Sequence, residues 1–428
     1  MKRGRPRPLR GTLAIPGDKS ISHRALIMGA LGAGRSVAHG PNLGADVRAT
    51  ARALTALGAA CEIDEDKARC VVEGRGWGGL SEPDDVIDAG NSGTTIRTLL
   101  GVCSGVEGIS VLTGDDSLRT RPMLRVVAPL RQMGATIDGR DHGDRAPLVV
   151  RGGALEGVDV ELPVASAQVK TALLLAGLHA SGSTAVTEPA PSRDHTERML
   201  DALGVQLDRS GTRVAVAGGQ EIRPFEAVVP GDISSAMFLV AAACTVPGSA
   251  LTLTGVGLNP TRRAALDVLV GMGAALRWEE EDPSLGEPVG RIEVEHAPLH
   301  GISVDPALVP ALIDEIPALA VVATQAEGET TFSGAGELRV KESDRIAELV
   351  RGLTALGADV EERADGMVVR GPAALSGGEV DSGGDHRIAL ALAVAGLAAA
   401  EGVRVLGWSC VDTSFPEFLE LVGEATRR

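Results

Sequence analysis

Cations set where a helix begins are the first residues in this chain that could do chemistry. Gly17–Gly34 (GDKSISHRALIMGALGAG) opens on the turn Pro16-Gly17-Asp18. It then sets Lys19, Ser20, Ser22, His23 and Arg24 ahead of an apolar run that stops at Gly-Ala-Gly. A Ser/Asp cluster before an apolar run predicts a helix start, and glycine just past the run predicts its stop. Lys19 and Arg24 then fall at the positive end of the helix dipole, which is unfavourable unless an anion joins them. The implied chemistry is the binding of an anionic ligand.

Five more helix starts carry polar side chains. They are Asn91, Ser92 and Thr94; Ser166, Gln168 and Lys170; Asp232, Ser234 and Ser235; Asp314 and Glu315; and Asp385, His386 and Arg387. Helix capping accounts for the Ser, Asn and Asp among them. It does not account for Lys19, Arg24 and Arg387 at positive ends. Two loops add charge. Leu118–Pro122 carries Arg119 and Arg121, and Arg339–Arg345 (RVKESDR) sits at the matching place in the second half, mixing Lys341 and Arg345 with Glu342 and Asp344. Alone, the second run reads equally well as a salt-laced helix start. Its match in the first half favours a functional reading.

These residues are positioned by a repeated unit. Each of the six polar starts leads into an apolar helix, a glycine and a short β-like run. Further on, each is followed by a second signature: Leu54–Ala59, Leu130–Ala135, Leu200–Val205, Leu269–Ala274, Leu353–Ala358 and a worn Leu419–Glu424. In the first five, an amphipathic helix ends at the glycine and a strand begins. The pattern predicts six degenerate copies of one α/β unit of roughly 70 residues. The repeated helices are apolar all round, as buried helices are. The expected architecture is therefore α/β, with two lobes of three copies, helices inside and sheets outside. The expected lobes are residues 17–228, and residues 1–16 with 229–428. The strand before residue 16 could pair with either lobe, and the acidic insert Glu279–Glu287 is expected as a solvated hairpin tip. Polar helix ends would emerge together on one face of each lobe. Two such faces opposed would make a site for a multiply anionic, phosphorylated small molecule.

Composition narrows the classes. The chain has 428 residues, 44% of them hydrophobic, enough for a sizeable core in every copy. Aromatic residues make up 2% and Tyr is absent, which argues against a stacking platform for nucleic acid. The net charge of −16 repels polyanions, so no nucleic-acid partner is expected. Five scattered cysteines without metal spacing fit a reducing compartment and a cytoplasmic protein. No apolar run reaches spanning length, and the basic start lacks the apolar stretch of a signal peptide, so neither membrane insertion nor secretion is expected. Three tempting signals are set aside. Gly74–Gly79 fits a dinucleotide fingerprint but opens no helix; Asp138–Asp144 lacks calcium-loop spacing; His195 lacks a paired ligand motif. No metal is expected.

The runs GDKSISHRAL, AGNSGTTIR, SAQVKTALLLAGL, SRDHTERML, IDEIPALAV, LRVKESDRI, GDHRIALA and TSFPEF resemble those of the 5-enolpyruvylshikimate-3-phosphate synthase family. They span nearly the whole chain. The resemblance implies two lobes of three α/β units and transfer of the enolpyruvyl group of phosphoenolpyruvate to the 5-hydroxyl of shikimate 3-phosphate, releasing phosphate. It implies no cofactor, and a monomer is expected. By the same resemblance, Lys19, Ser20, Arg24, Ser166, Ala167, Gln168, Arg193, Asp314 and Lys341 would bind shikimate 3-phosphate. Lys19, Gly93, Arg121, Gln168, Arg345 and Arg387 would hold phosphoenolpyruvate. Asp314 would accept the proton of the 5-hydroxyl, Glu342 would move protons at the methylene carbon, and Lys19 would reach both substrates. Gly93 would border the phosphoenolpyruvate pocket, which the family's inhibitor glyphosate also fills. Thr413 replaces a Lys of many relatives, Glu337 an Asn, and Ala167 a second Ser, so the chain resembles the family's divergent second class.

Two other functions compete. The sister enolpyruvyl transferase acting on a UDP-sugar shows Lys-Asn where this chain has Lys19-Ser20, and a Cys in the loop where Ser117–Pro122 has none. A non-catalytic phosphate-ligand binding protein would not need Asp314 and Glu342.

Overall fold

Six helices with no polar side form the interior of two compact units. The structure is a computed structural model describing residues 7–427; the first residues of the basic start, 1–6, lie outside it. One unit, the first lobe, comprises Gly17–Val229 together with Pro283–Glu287. The second takes residues through Pro16, Pro230–Asp282 and the chain from Pro288 onward.

The first lobe's core helices are Lys19–Leu31, Gly93–Gly105 and Ala167–His179. Those of the second are Ile233–Thr245, Ile316–Ala323 and His386–Ala398. Every residue of Ile233–Thr245 is buried, as expected where no face is polar. In the second lobe the three core helices pack on one another. In the first, Gly93–Gly105 and Ala167–His179 approach so closely that a Cβ on Gly101 would lie 2.2 Å from the Ala172 carbonyl oxygen. Only glycine fits there.

Small sheets cover these helices. In the first lobe the strand after each core helix (Ala33–His39, Gly108–Thr113, Ser183–Thr187) pairs antiparallel with the far arm of a hairpin. It also takes one short parallel strand from the preceding copy. Ile87–Asp88 joins Gly108–Thr113, Asp159–Glu161 joins Ser183–Thr187, and Glu226–Val228 returns to Ala33–His39, closing the lobe on itself. In the second lobe Arg10–Ala14 fills that role, running parallel to Ala250–Gly257 with Thr12 opposite Thr252. The strand whose partner the sequence left open thus belongs to the second lobe. The last copy is reduced to Gly378–Asp381 beside Val403–Leu406, followed by a 3-10 turn and the Phe418–Ala425 helix.

The second signature is a helix in every copy, amphipathic in all but the fourth, where Ala264–Gly271 has Asp267 as its one polar side chain. In the first five it ends at Gly58, Gly134, Gly204, Gly273 and Gly357, with φ between 91° and 103°. These are left-handed stops that glycine adopts without steric cost. In the worn sixth copy Gly423 lies inside the helix.

One expectation is corrected. The insert does form a hairpin, Ala275–Ser284 with Glu287–Glu295, and Glu279–Asp282 are exposed. Its end is not solvated: Leu285 is in the first lobe's hydrophobic core, and Glu287, fully buried, meets His195 at 2.8 Å. An apolar side chain and a carboxylate with a buried partner are both satisfied inside. Among the described residues no single helix is long and apolar enough to cross a membrane.

Candidate active site

Capping explains part of the polar helix starts. Asp18, Ser92, Ser166, Asp232 and Asp385 each accept a backbone N–H of their own helix's first turn. Each such cap contributes about 1 kcal/mol. The cations are not caps and have other partners.

In the first lobe, Lys19 Nζ lies 3.0 Å from Asp46 Oδ2. Arg24 is buried and donates from Nε to Thr196 Oγ1 (2.7 Å), from Nη2 to Thr171 Oγ1 (2.9 Å) and from Nη1 to the Ser20 carbonyl (3.0 Å). All three acceptors are neutral. Burial lowers its pKa to about 10, with Glu197 and Asp18 opposing the fall, so it remains charged at neutral pH. Thr171 and Thr196 also bond each other at 2.5 Å, tying the third core helix to the His195–Ala202 helix.

A second group surrounds Gly93. Gln168 Oε1 accepts from Arg97 Nη1 at 2.7 Å, and its amide donates to Thr94 Oγ1 at 3.0 Å, so the second and third helix starts are bonded together. Arg121 Nη2 donates to Asn91 Oδ1 at 2.8 Å. A Cβ on Gly93 would lie 2.9 Å from Arg97 Nη1 and 3.2 Å from Arg121 Nη1. Two guanidinium groups thus converge on a helix start, an arrangement suited to carboxylate or phosphate. Beneath it runs a buried chain: His23 Nδ1 to Thr50 Oγ1 (2.7 Å), Thr50 to Thr95 Oγ1 (2.7 Å), and Thr95 to the Ser92 cap (2.8 Å). Burial, then Lys19 and Arg24, push the His23 pKa well below its ordinary value against Asp18, so the ring is neutral.

In the second lobe Arg345 is the hub. Its Nε donates to Asp385 Oδ2 (2.8 Å), Nη1 to Asp314 Oδ1 (3.2 Å) and Nη2 to Glu342 Oε2 (2.5 Å), with only 1% of its side chain exposed. Burial opposes this charge, but Asp385, Glu342 and Asp314 outweigh it and raise the Arg345 pKa. Burial would likewise raise Asp385; Arg345 overcomes that and holds it below the usual carboxylate range. Arg387 Nη1 donates to the Asp314 carbonyl at 2.9 Å, with Nε 3.7 Å from its carboxylate. Asp314 and Glu342, half-buried, therefore share one immobile cation. Beside them Glu315 is bonded to Ser234 and lies 3.4 Å from Arg262.

The expected residues thus divide between the lobes. Lys19, Ser20, Arg24, Gly93, Arg121, Ser166, Ala167, Gln168 and Arg193 belong to the first lobe. Asp314, Lys341, Glu342, Arg345 and Arg387 belong to the second. Ser166 caps its helix and Ala167 is the first helical residue. Arg193 is half-buried ahead of the His195–Ala202 helix, and Lys341 half-buried at the end of a 3-10 turn on which Glu337 is exposed. Thr413 turns its hydroxyl to the Cys410 carbonyl at 2.7 Å, within its own turn. Lys170 departs from expectation: it is not at an open face but buried, 2.7 Å from both Glu188 and Glu197. Pairing with two carboxylates satisfies a charge that could not otherwise be buried. Gly74–Gly79 is a strand end and a 3-10 turn.

Sequence reasoning missed Arg97, Asp46 and Arg262. Arg97 had a usable signal, since it stands one helical turn after Gly93 and must share its face. Asp46 and Arg262 come from outside the core helices and had none.

Two lobes of α/β copies with buried helices, cations at helix starts and a pair of carboxylates on one arginine define an anion-binding α/β protein equipped to move protons. Comparison with known proteins narrows this. The profile of the family EPSP synthase (3-phosphoshikimate 1-carboxyvinyltransferase) matches residues 4–422. A 3-phosphoshikimate 1-carboxyvinyltransferase of Shouchella clausii (strain KSM-K16) is 50% identical over 412 residues, 96% of this chain and 95% of the relative. One from Synechococcus sp. (strain JA-3-3Ab) is 53% identical over 417 residues, 96% and 94% of the two chains. The solved EPSP synthase of Acinetobacter baumannii superposes with a TM-score of 0.90 at 41% identity, covering 99% of this chain and 97% of that one. The enolpyruvyl transferase NikO of Streptomyces tendae shares the fold, with a TM-score of 0.78 at 16% identity over 99% of this chain and 96% of that one. The chain belongs to the EPSP synthase family.

Proposed function

We propose that this protein transfers the enolpyruvyl group of phosphoenolpyruvate to the 5-hydroxyl of shikimate 3-phosphate, releasing phosphate, on the route to aromatic amino acids. The observation that carries the reading is near-full-length similarity, at 50–53% identity, to relatives named for this reaction. The site geometry supports it. On this reading Lys19, Ser20, Arg24, Ser166, Ala167, Gln168, Arg193, Asp314 and Lys341 take shikimate 3-phosphate. Lys19, Gly93, Arg121, Gln168, Arg345 and Arg387 take phosphoenolpyruvate, the guanidinium groups meeting its carboxylate and phosphate.

The reaction needs two proton movements. The 5-hydroxyl oxygen adds to C2 of phosphoenolpyruvate and its proton goes to Asp314, while C3 receives a proton from Glu342. C3 then returns a proton to Glu342 as the C2–O bond to phosphate breaks. The products are the enol ether and inorganic phosphate. Arg345, bonded to both carboxylates, keeps them oriented at fixed places.

The reading extends to a monomer acting in the cytoplasm and inhibited by glyphosate. The −16 charge and five free cysteines support the cytoplasmic setting. A phosphate-release assay tests the function. Phosphate should appear with phosphoenolpyruvate and shikimate 3-phosphate together, and not with phosphoenolpyruvate alone or with UDP-N-acetylglucosamine as acceptor. Release with the UDP-sugar instead would assign the sister reaction.

A further inference from the structure

We propose that Glu188, paired with Lys170, is a positioning residue that holds two shikimate 3-phosphate-binding segments, Ser166–Gln168 and Ser192–Arg193, in fixed relation. The inference rests on the functional reading above and names a part of the same site. Glu188 follows the Ser183–Thr187 strand and is 3% exposed. Its Oε1 accepts the backbone N–H of Ser166 at 2.8 Å. Its Oε2 accepts Ser192 Oγ at 2.8 Å and Lys170 Nζ at 2.7 Å. One carboxylate thus grips the cap of the third core helix with one oxygen and the residue before Arg193 with the other.

The charges around it fit this role. Bare carboxylates behind a phosphate site would repel the ligand; Lys170 offsets Glu188 and Glu197 at contact distance, and the nearby Arg24 charge, which Glu197 also feels, balances the remainder. Burial works against the Lys170 ammonium, but Glu197 and Glu188 outweigh burial and raise its pKa, so the cation persists. Glu197, also buried, lies 2.7 Å from Lys170 and belongs to the His195–Ala202 helix. That helix supplies Thr196 to Arg24, while the Lys170 helix supplies Thr171 to the same guanidinium. A slip between the two helices would therefore move Ser166, Gln168, Arg193 and the seat of Arg24 together. Stability alone is a weak reason for such a cluster, because apolar residues of equal volume commonly serve as well in a core. What apolar residues could not supply is an acceptor for the Ser166 N–H and the Ser192 hydroxyl at once.

Titration calorimetry with shikimate 3-phosphate alone tests the clamp, beside thermal melts and steady-state kinetics on the same proteins. Glu188→Gln keeps the volume but turns an amide toward Lys170, and its Kd should rise about tenfold or more, since bonds to a charged group are being lost. KM for shikimate 3-phosphate should rise in step, with kcat falling less. Ser192→Ala breaks one arm and leaves the ion pairs intact, and its Kd should rise about threefold or more. A Kd within twofold of wild type in either folded variant, whatever its melting temperature, makes the cluster merely structural and overturns the proposal. Should Glu188→Gln not fold, Ser192→Ala decides by the same criterion. A wild-type protein that does not bind shikimate 3-phosphate overturns the functional reading itself, and the clamp falls with it.

Discussion

Gly93 shows how one missing side chain shapes a site. Its backbone lies beneath Arg97 and Arg121, close enough that a methyl group would press on both guanidinium ends. Both ends are tips of flexible side chains, so Gly93→Ala should fold while displacing those donors, an overpacking of ~1–3 kcal/mol. If the proposed function holds, glyphosate would fill the phosphoenolpyruvate pocket more fully than the substrate does. Its inhibition constant should therefore rise more than the KM for phosphoenolpyruvate, as side-by-side inhibition curves would show; equal shifts would defeat the steric argument. At this scale the sequence was legible where a motif or a dipole argument reached: Lys19, Arg24 and Arg387 stood out as cations at positive ends. The residues that hold Lys19 and Arg24 did not. Asp46 reaches Lys19 and Thr196 reaches Arg24 from other segments, as Glu188 reaches Lys170, and no local pattern says which distant carboxylate or hydroxyl will meet a given cation.

Among the elements, the core helices were legible because a helix without a polar side has nowhere to go but inside. The left-handed glycines of the second signature were legible because they recur at one position of a repeat. The hairpin tip differs from expectation because its acidic run masks Leu285, which enters the first lobe's apolar core, and Glu287, whose burial depends on its tertiary partner His195. The link between the first two helices of the first lobe rests on neutral His23, fully buried and bonded to Thr50. Because its folded pKa is depressed below 6.5, the unfolded chain binds more protons in the range below pH 6.5. Stability is thus fully kept above pH 6.5 and lost as pH falls through the folded pKa, by at most about 1.4 kcal/mol per pH unit for one such group. The melting temperature should drop between pH 7 and pH 5.5, and the slope should be shallower in His23→Gln. Equal slopes in the two proteins would show that His23 is not the titrating group. His179, at the end of the third core helix and also shifted down by desolvation, supplies part of any slope that remains.

Across the whole molecule, six copies were countable from two alternating signatures, and the inside-out arrangement followed from them. The closure of each lobe was not. Arg10–Ala14 is short and only one of its residues, Leu13, is buried, so its pattern carries no instruction about which sheet it should join. Which side chains meet within each lobe is likewise a property of the folded chain, with the Gly93 and Arg24 groups in one and the Asp314–Arg345–Glu342 group in the other. The central claim is that these groups serve one addition and elimination at a single carbon pair. Proton NMR of the reaction in D2O, with shikimate 3-phosphate and phosphoenolpyruvate both present, tests it most directly. The account predicts an enol ether formed one-for-one with phosphate and carrying deuterium at its methylene. In Asp314→Asn and Glu342→Gln, product and deuterium should both fall by about 100-fold or more, with shikimate 3-phosphate binding far less affected. Phosphate released without the enol ether, or an enol ether whose methylene holds no deuterium, would contradict it.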